Sequence, residues 1–127
     1  GSRDLAIDFA RQLVPESSGI VIARVDMAAD RDALLAALDT VRGSQPEAPV
    51  LLLSADLEEK KVSIVARVPE AGIARGLKAG DWARCAAEAC GGKGGGRPDM
   101  AQAGGKDPTL ADAALEAARH FANERLA

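Results

Sequence analysis

The sequence predicts an α/β fold, with α+β as the neighbouring alternative: a mixed sheet of about four strands packed with about four helices. Three observations predict it. Short β-branched or apolar runs alternate along the chain with segments of helical periodicity. At 127 residues the chain is long enough for one domain with one core. Apolar residues make up 47% of it and aromatics only 2%, so that core must be aliphatic and rich in alanine.

Taken in order, residues 4–14 read as a helix. Leu5, Phe9 and Leu13 recur every fourth position, with Ala6 and Ala10 beside them, and Pro15 follows. Ile20 to Val25 reads as a strand. Asp30 is an expected N-cap for a helix to about Arg42. Its apolar stripe is Leu34, Ala37, Leu38 and Val41, with Gly43 as its stop. Val50 to Ser54 suits a buried central strand, and Lys61 to Val68 its hairpin partner across a polar turn. Pro69 to Gly80 reads as irregular. The next helix, about Asp81 to Ala89, is expected to bury Trp82, Cys85, Ala86 and Ala89. Asp107 and Pro108 form an N-cap and N1 pair opening a last helix to roughly Leu126. Its expected inner side is Leu110, Ala114, Leu115, Ala118, Phe121 and Ala122.

Between those last two helices lies the most unusual segment, Gly91 to Lys106. It holds seven of the thirteen glycines together with Lys93, Arg97 and Lys106. Such a backbone can lie directly against a ligand, and its amides can converge on an anion. Asp99 to Ala103 could form a short edge strand within it. The competing reading is a flexible turn with cations kept for solubility. The density of glycine, with no serine and a single aspartate in the segment, favours phosphate recognition by Lys93, Gly94, Gly95, Gly96 and Arg97. Lys106 stands before the last helix, and Lys78 and Arg75 could extend the basic face or simply form a solvated surface. Charge is segregated accordingly. Residues 60–106 carry nine cations against four acids, although the whole chain has net charge −3.

Other chemistries find little support. A nucleotide-binding P-loop fails, because Met100 and Asp107 stand where glycine and Ser or Thr are needed around Gly105-Lys106. A dinucleotide fingerprint should leave a strand, whereas this segment leaves a helix. His120 has no partner at metal-ligand spacing, and no serine sits in a nucleophile elbow. Cys85 and Cys90 point about 140° apart on a helix, and read as small buried residues. Rows of stacked bases would need aromatic platforms that the chain lacks. No run approaches the roughly 20 apolar residues of a membrane span. Trp82 could stack on a base, but a core anchor is the stronger expectation, as it is for Met100. Gly1-Ser2 resembles a tag scar, leaving residues 3–127 as a single domain of a larger protein.

Gly76 to Trp82 (GLKAGDW), followed by Gly91 to Gly105 (GGKGGGRPDMAQAGG), resembles the C-terminal domain of alanyl-tRNA synthetase. The motifs cover about the last 60 residues, while the first 70 or so agree only in their pattern of elements. The resemblance implies a module that binds alanine tRNA at its elbow, with Gln102 joining the segment's cations. It implies support of aminoacylation and editing, contact with the rest of the synthetase, and a contribution to dimerisation. It implies no cofactor for these residues, with ATP, magnesium and zinc used elsewhere in the parent, and a location in the cytoplasm or an organelle. DHH phosphoesterases carry a similar domain whose glycine motif ends in histidine. Arg97 stands at that position here, which favours the synthetase branch. The alternatives are a self-association or interdomain module, or the substrate-binding part of such a phosphoesterase.

Overall fold

A computed structural model describes all residues from Gly1 to Ala127. Its elements are α1 (Ser2–Ala10), β1 (Val21–Arg24), α2 (Arg31–Ser44), β2 (Val50–Asp56), β3 (Lys61–Arg67), α3 (Glu70–Ala74), α4 (Ala79–Ala89), β4 (Lys93–Gly96), β5 (Met100–Gly105) and α5 (Ala111–Leu126). A 3-10 turn, Pro108–Leu110, precedes α5. One mixed sheet runs β1-β2-β3-β5-β4, so the α/β expectation holds with one more strand than expected. The β1 and β2 strands are parallel, because α2 crosses over between them. All other neighbours are antiparallel.

The sheet is covered on both faces, which explains the continuous apolar run of β2. Leu51, Leu53, Ile64 and Ala66 face α4 and α5, in a cluster of 24 buried residues centred on Trp82. Val50, Leu52 and Val65 face α1 and α2 in a cluster of 14. Trp82 is fully buried, and its Nε1 donates to the Ala118 carbonyl at 2.8 Å. That bond satisfies the indole and ties α4 to α5.

Helix α2 follows its sequence signals closely. Asp30 Oδ1 accepts from the Ala33 amide at 2.8 Å, and Leu34, Ala37, Leu38 and Val41 are buried. Gly43 does not stop it: the helix continues to Ser44 and caps at Gln45. Helix α1 turns its alanines inward. Ala6 and Ala10 face the core, while Leu5 is 59% and Phe9 36% exposed. The small side chains let α1 lie close on the Ala33 and Ala37 side of α2, a depth that Leu5 and Phe9 would prevent. Leu110 likewise lies exposed, since the 3-10 turn displaces it from the α5 stripe. The Pro69–Gly80 stretch contains α3, and α4 begins at Ala79.

The largest correction concerns the glycine segment, which is a β-hairpin rather than a loop. Its second strand, β5, lies inside the sheet between β3 and β4, and β4 forms the edge. Gly91, at φ 78°, ends α4, and the Gly92 amide donates back to the Ala87 carbonyl at 2.9 Å. This is a Schellman closure that only an αL residue permits readily. The other glycines allow backbone to approach backbone. A Cβ on Gly80 would come within 2.5 Å of the Gly96 oxygen, and one on Gly105 within 2.7 Å of the Cys90 oxygen.

Neighbouring glycines of β4 should therefore differ. Gly94→Ala places its methyl 2.4 Å from Ala103 Cβ, whereas at Gly95 a methyl meets nothing within 4 Å. Denaturant unfolding should show Gly94→Ala destabilised by about 1–3 kcal/mol, and Gly95→Ala unchanged or more stable by about 0.5–1 kcal/mol. Equal effects would contradict the packing described.

The two cysteines, Cys85 half-buried and Cys90 buried, are free thiols. Burial pushes both above the ordinary thiol value of 9.0, with Glu88 and Asp107 adding to the respective shifts. A native pKa above the unfolded value adds stability that is fully present below 9.0 and is lost as pH rises through the native value. Unfolding free energy should therefore fall between about pH 8 and pH 10, and more shallowly in Cys90→Ala. Parallel profiles would refute the assignment.

Candidate nucleic-acid interface

Two faces of the β4–β5 hairpin have different surroundings. Ala101, Ala103 and Gly105 point into the cluster formed with α4 and α5. Across the strand, Gln102 is exposed, and Met100 and Gly104 are partly exposed. Register places Lys93 opposite Gly104 and Ser63, and Gly95 opposite Gln102 and Val65. These residues share one sheet face, beside α2.

Arg31, the first residue of α2, reaches over that face. Its Nη1 donates to Gln102 Oε1 at 2.8 Å and its Nη2 to the Ala103 carbonyl at 3.2 Å. Its buried Nε has no partner. Residues 31, 35, 38 and 42 lie on one stripe of α2 by helical periodicity, so Arg42 follows Arg31 about 16 Å along the helix. At that far end, Arg42, Arg67 and Arg97 line a cleft of about 460 Å³ with Glu70, Asp99 and Met100. Arg67 Nη1 donates to the Pro46 carbonyl at 2.6 Å. Burial and the Arg42 charge push the Arg67 pKa down, against weaker pulls from Glu47 and Asp99.

The sequence-predicted residues divide between the two ends of the hairpin. Arg97 and Lys78 lie at its turn, where the Ala79 and Gly80 amides donate to the Pro98 and Arg97 carbonyls. Lys93 and Lys106 lie at its open end, where the Lys106 amide donates to the Cys90 carbonyl. An extended strand separates Lys93 from Arg97 by about 13 Å, so they do not close around one phosphate as a loop would. The α4 N-terminus is also filled, by those two turn carbonyls. Asp107 fills the next one, its Oδ1 accepting from the Thr109 amide and hydroxyl. The candidate surface is thus a strip of sheet with cations at both ends.

Arg31, Arg42 and Arg67 were absent from the sequence prediction. The 11-residue spacing of Arg31 and Arg42 on the α2 stripe was a readable signal, whereas Arg67 joins them only through the sheet. Trp82 belongs to the core and Met100 packs against the smaller cluster, as expected. His120 is exposed on α5 beside Glu124, at 3.4 Å. No group of three or more His, Cys, Asp or Glu side chains is arranged to hold a metal ion. No helix is long and apolar enough to cross a membrane.

Comparison with known proteins narrows the assignment. Residues 17–124 match the DHHA1 domain family. The chain is 35% identical over 107 residues to the cytoplasmic alanine–tRNA ligase of Drosophila melanogaster, covering 84% of this chain and 11% of that protein. It is 48% identical over 96 residues to the alanine–tRNA ligase of Pseudomonas fluorescens, covering 76% of this chain and 10% of that one. It therefore spans about a tenth of the length of these relatives. Its fold is similar to the C-Ala domain of Aquifex aeolicus alanyl-tRNA synthetase, with a TM-score of 0.61, 26% identity, and 83% and 86% of the two chains covered. The overall fold is thus shared with a synthetase domain, and the chain belongs to the DHHA1 domain family, in which it resembles the C-terminal domain of alanyl-tRNA synthetase.

Proposed function

We propose that this chain is the tRNA-binding module of an alanine–tRNA ligase, and that the open face of the β4–β5 hairpin receives the RNA backbone. The observation that carries the reading is the distribution of cations around one uncovered strip of sheet. Lys93, Arg31 and Lys106 stand toward one end, and Arg97 and Lys78 at the other. The strip between them carries Gly95, Gly104 and Gln102, and its one bulky apolar side chain, Met100, lies at the turn end. Arginine can meet phosphate as a fork and lysine as a point charge.

Contacts of this kind position a nucleic acid without reading its sequence. They suit recognition of a folded shape, and we place the tRNA elbow on this surface. On this reading the module holds alanine tRNA while other parts of the parent carry out aminoacylation and editing. The ATP, magnesium and zinc chemistry belongs to those parts. The same reading places the protein in the cytoplasm or an organelle, in contact with the rest of its synthetase. A self-association role has one observation in its favour: β4 is an edge strand whose outer side has no neighbour in the sheet.

Filter binding of a tRNA transcript at low salt separates these readings. The Lys93→Ala/Arg97→Ala double variant should bind at least roughly tenfold more weakly than wild type. Its dependence of log affinity on log salt should be shallower by about 1–2, as two phosphate contacts are lost. Equal affinity would exclude the hairpin as the interface. A concentration-dependent dimer without tRNA binding would favour self-association.

A further inference from the structure

Arg67 is the least expected charge in the molecule. It sits at the end of β3, partly buried, and no carboxylate lies within ion-pair distance of it. Its one hydrogen bond, to the Pro46 carbonyl, leaves most of its five donors free. After burial itself, the charge that most lowers its pKa is another arginine, Arg42, which lines the same cleft. Confining a second cation beside a half-buried guanidinium opposes folding, and an anion would relieve it.

Its neighbours are weakly held. Arg97 contacts Asp99 at 3.2 Å with both side chains more than half exposed. Arg42 reaches Asp39 at 3.8 Å, also at the surface. Exposed pairs of this kind contribute about 0–1 kcal/mol, so either arm can exchange its carboxylate for a stronger anion. The cleft they share holds roughly 460 Å³, enough for a phosphate group with its flanking sugars. Met100 offers an apolar wall at its edge.

We propose that Arg42, Arg67 and Arg97 form a seat for one phosphodiester of the bound RNA, with Asp99 holding the Arg97 arm at its rim when RNA is absent. The proposal rests on the RNA-binding reading above and adds a contact that the hairpin residues do not supply. Arg67 provides the fixed fork, anchored through Pro46. Arg42 and Arg97 close from α2 and from the hairpin turn. Because its three parts come from α2, β3 and the hairpin, the seat also fixes the direction in which a strand crosses the sheet face.

Two variants of opposite sign test it on this chain, with a tRNA transcript as probe. Arg42→Ala/Arg67→Gln should weaken binding roughly tenfold and lower the salt slope by about 1. Asp99→Asn should tighten binding several-fold, an outcome that misfolding cannot produce. Glu124→Gln, which removes an exposed acid on α5, should leave affinity unchanged. Arg42→Ala alone, at an exposed helix position, should weaken binding while its thermal midpoint stays at the wild-type value. Wild-type binding with unaltered affinity and slope in the Arg42/Arg67 variant would overturn the seat and leave the hairpin reading intact. Equal gains from Asp99→Asn and Glu124→Gln would overturn it as well, reducing the effect to net charge. A wild-type chain that binds no tRNA would overturn both.

Discussion

The close seating of α4 on the β4–β5 hairpin is the contact on which the rest of the structure depends. It is backbone against backbone. Gly80 meets Gly96, and Gly105 meets Cys90, at separations that no Cβ would allow. Because α4 lies so low, Trp82 drops fully into the core and reaches the Ala118 carbonyl on α5. The hairpin turn in return supplies the carbonyls that satisfy the first amides of α4. Glycine is a poor strand former, and β4 contains three of them. Its strand conformation is imposed by β5 on one side and α4 beneath it, not by local preference.

That arrangement also decides where charge can act. The turn carbonyls take the Ala79 and Gly80 amides of α4, and Asp107 caps the turn before α5, so both helix N-termini are largely engaged within the chain. Attraction for an anion must come from side-chain cations, which the fold places around the opposite face of the hairpin. There α2 is the only helical neighbour, and it presents Arg31 at one end and Arg42 at the other. A net negative protein can in this way keep a local positive surface, since exposed charges interact over only about 8–10 Å at ordinary salt.

How much of this could be read in advance follows from what each residue touches. Local signals were sufficient for the α2 N-cap and stripe, for the β2–β3 hairpin and for the Trp82 anchor, because each is set by neighbours within a few positions. They failed where packing distance decides. In α1 periodicity alone does not choose between the larger apolar residues and the alanines beside them, and alanine allows the closer fit and takes the core side. In the glycine segment, local propensity argued for a loop, and only α4 and β3 make it a sheet edge. Its composition is explained by packing before any ligand is considered. The glycines are spent largely on close packing, which leaves the proposed binding chemistry to the cations around them. Arg67 was out of reach, since its proximity to Arg42 and Arg97 exists only once β3 lies between α2 and the hairpin.

A glycine-rich phosphate loop and this hairpin solve different problems, although their compositions are alike. A loop wraps one phosphate group with convergent amides and needs an open helix N-terminus behind it. A hairpin in register cannot converge: its amides are committed to the ladder, and its side chains stand at fixed intervals along a line. The natural partner of a line of separated cations is a polymer with charges at intervals of its own, not a single small anion. Proximity of Arg31 to Gln102 strengthens this point, because the one amide side chain on the strip is already held by an arginine, with its oxygen engaged. The strip therefore has little left with which to read a base edge. Its geometry favours grip and direction over sequence, and discrimination among RNAs would have to come from the shape that presents the phosphates.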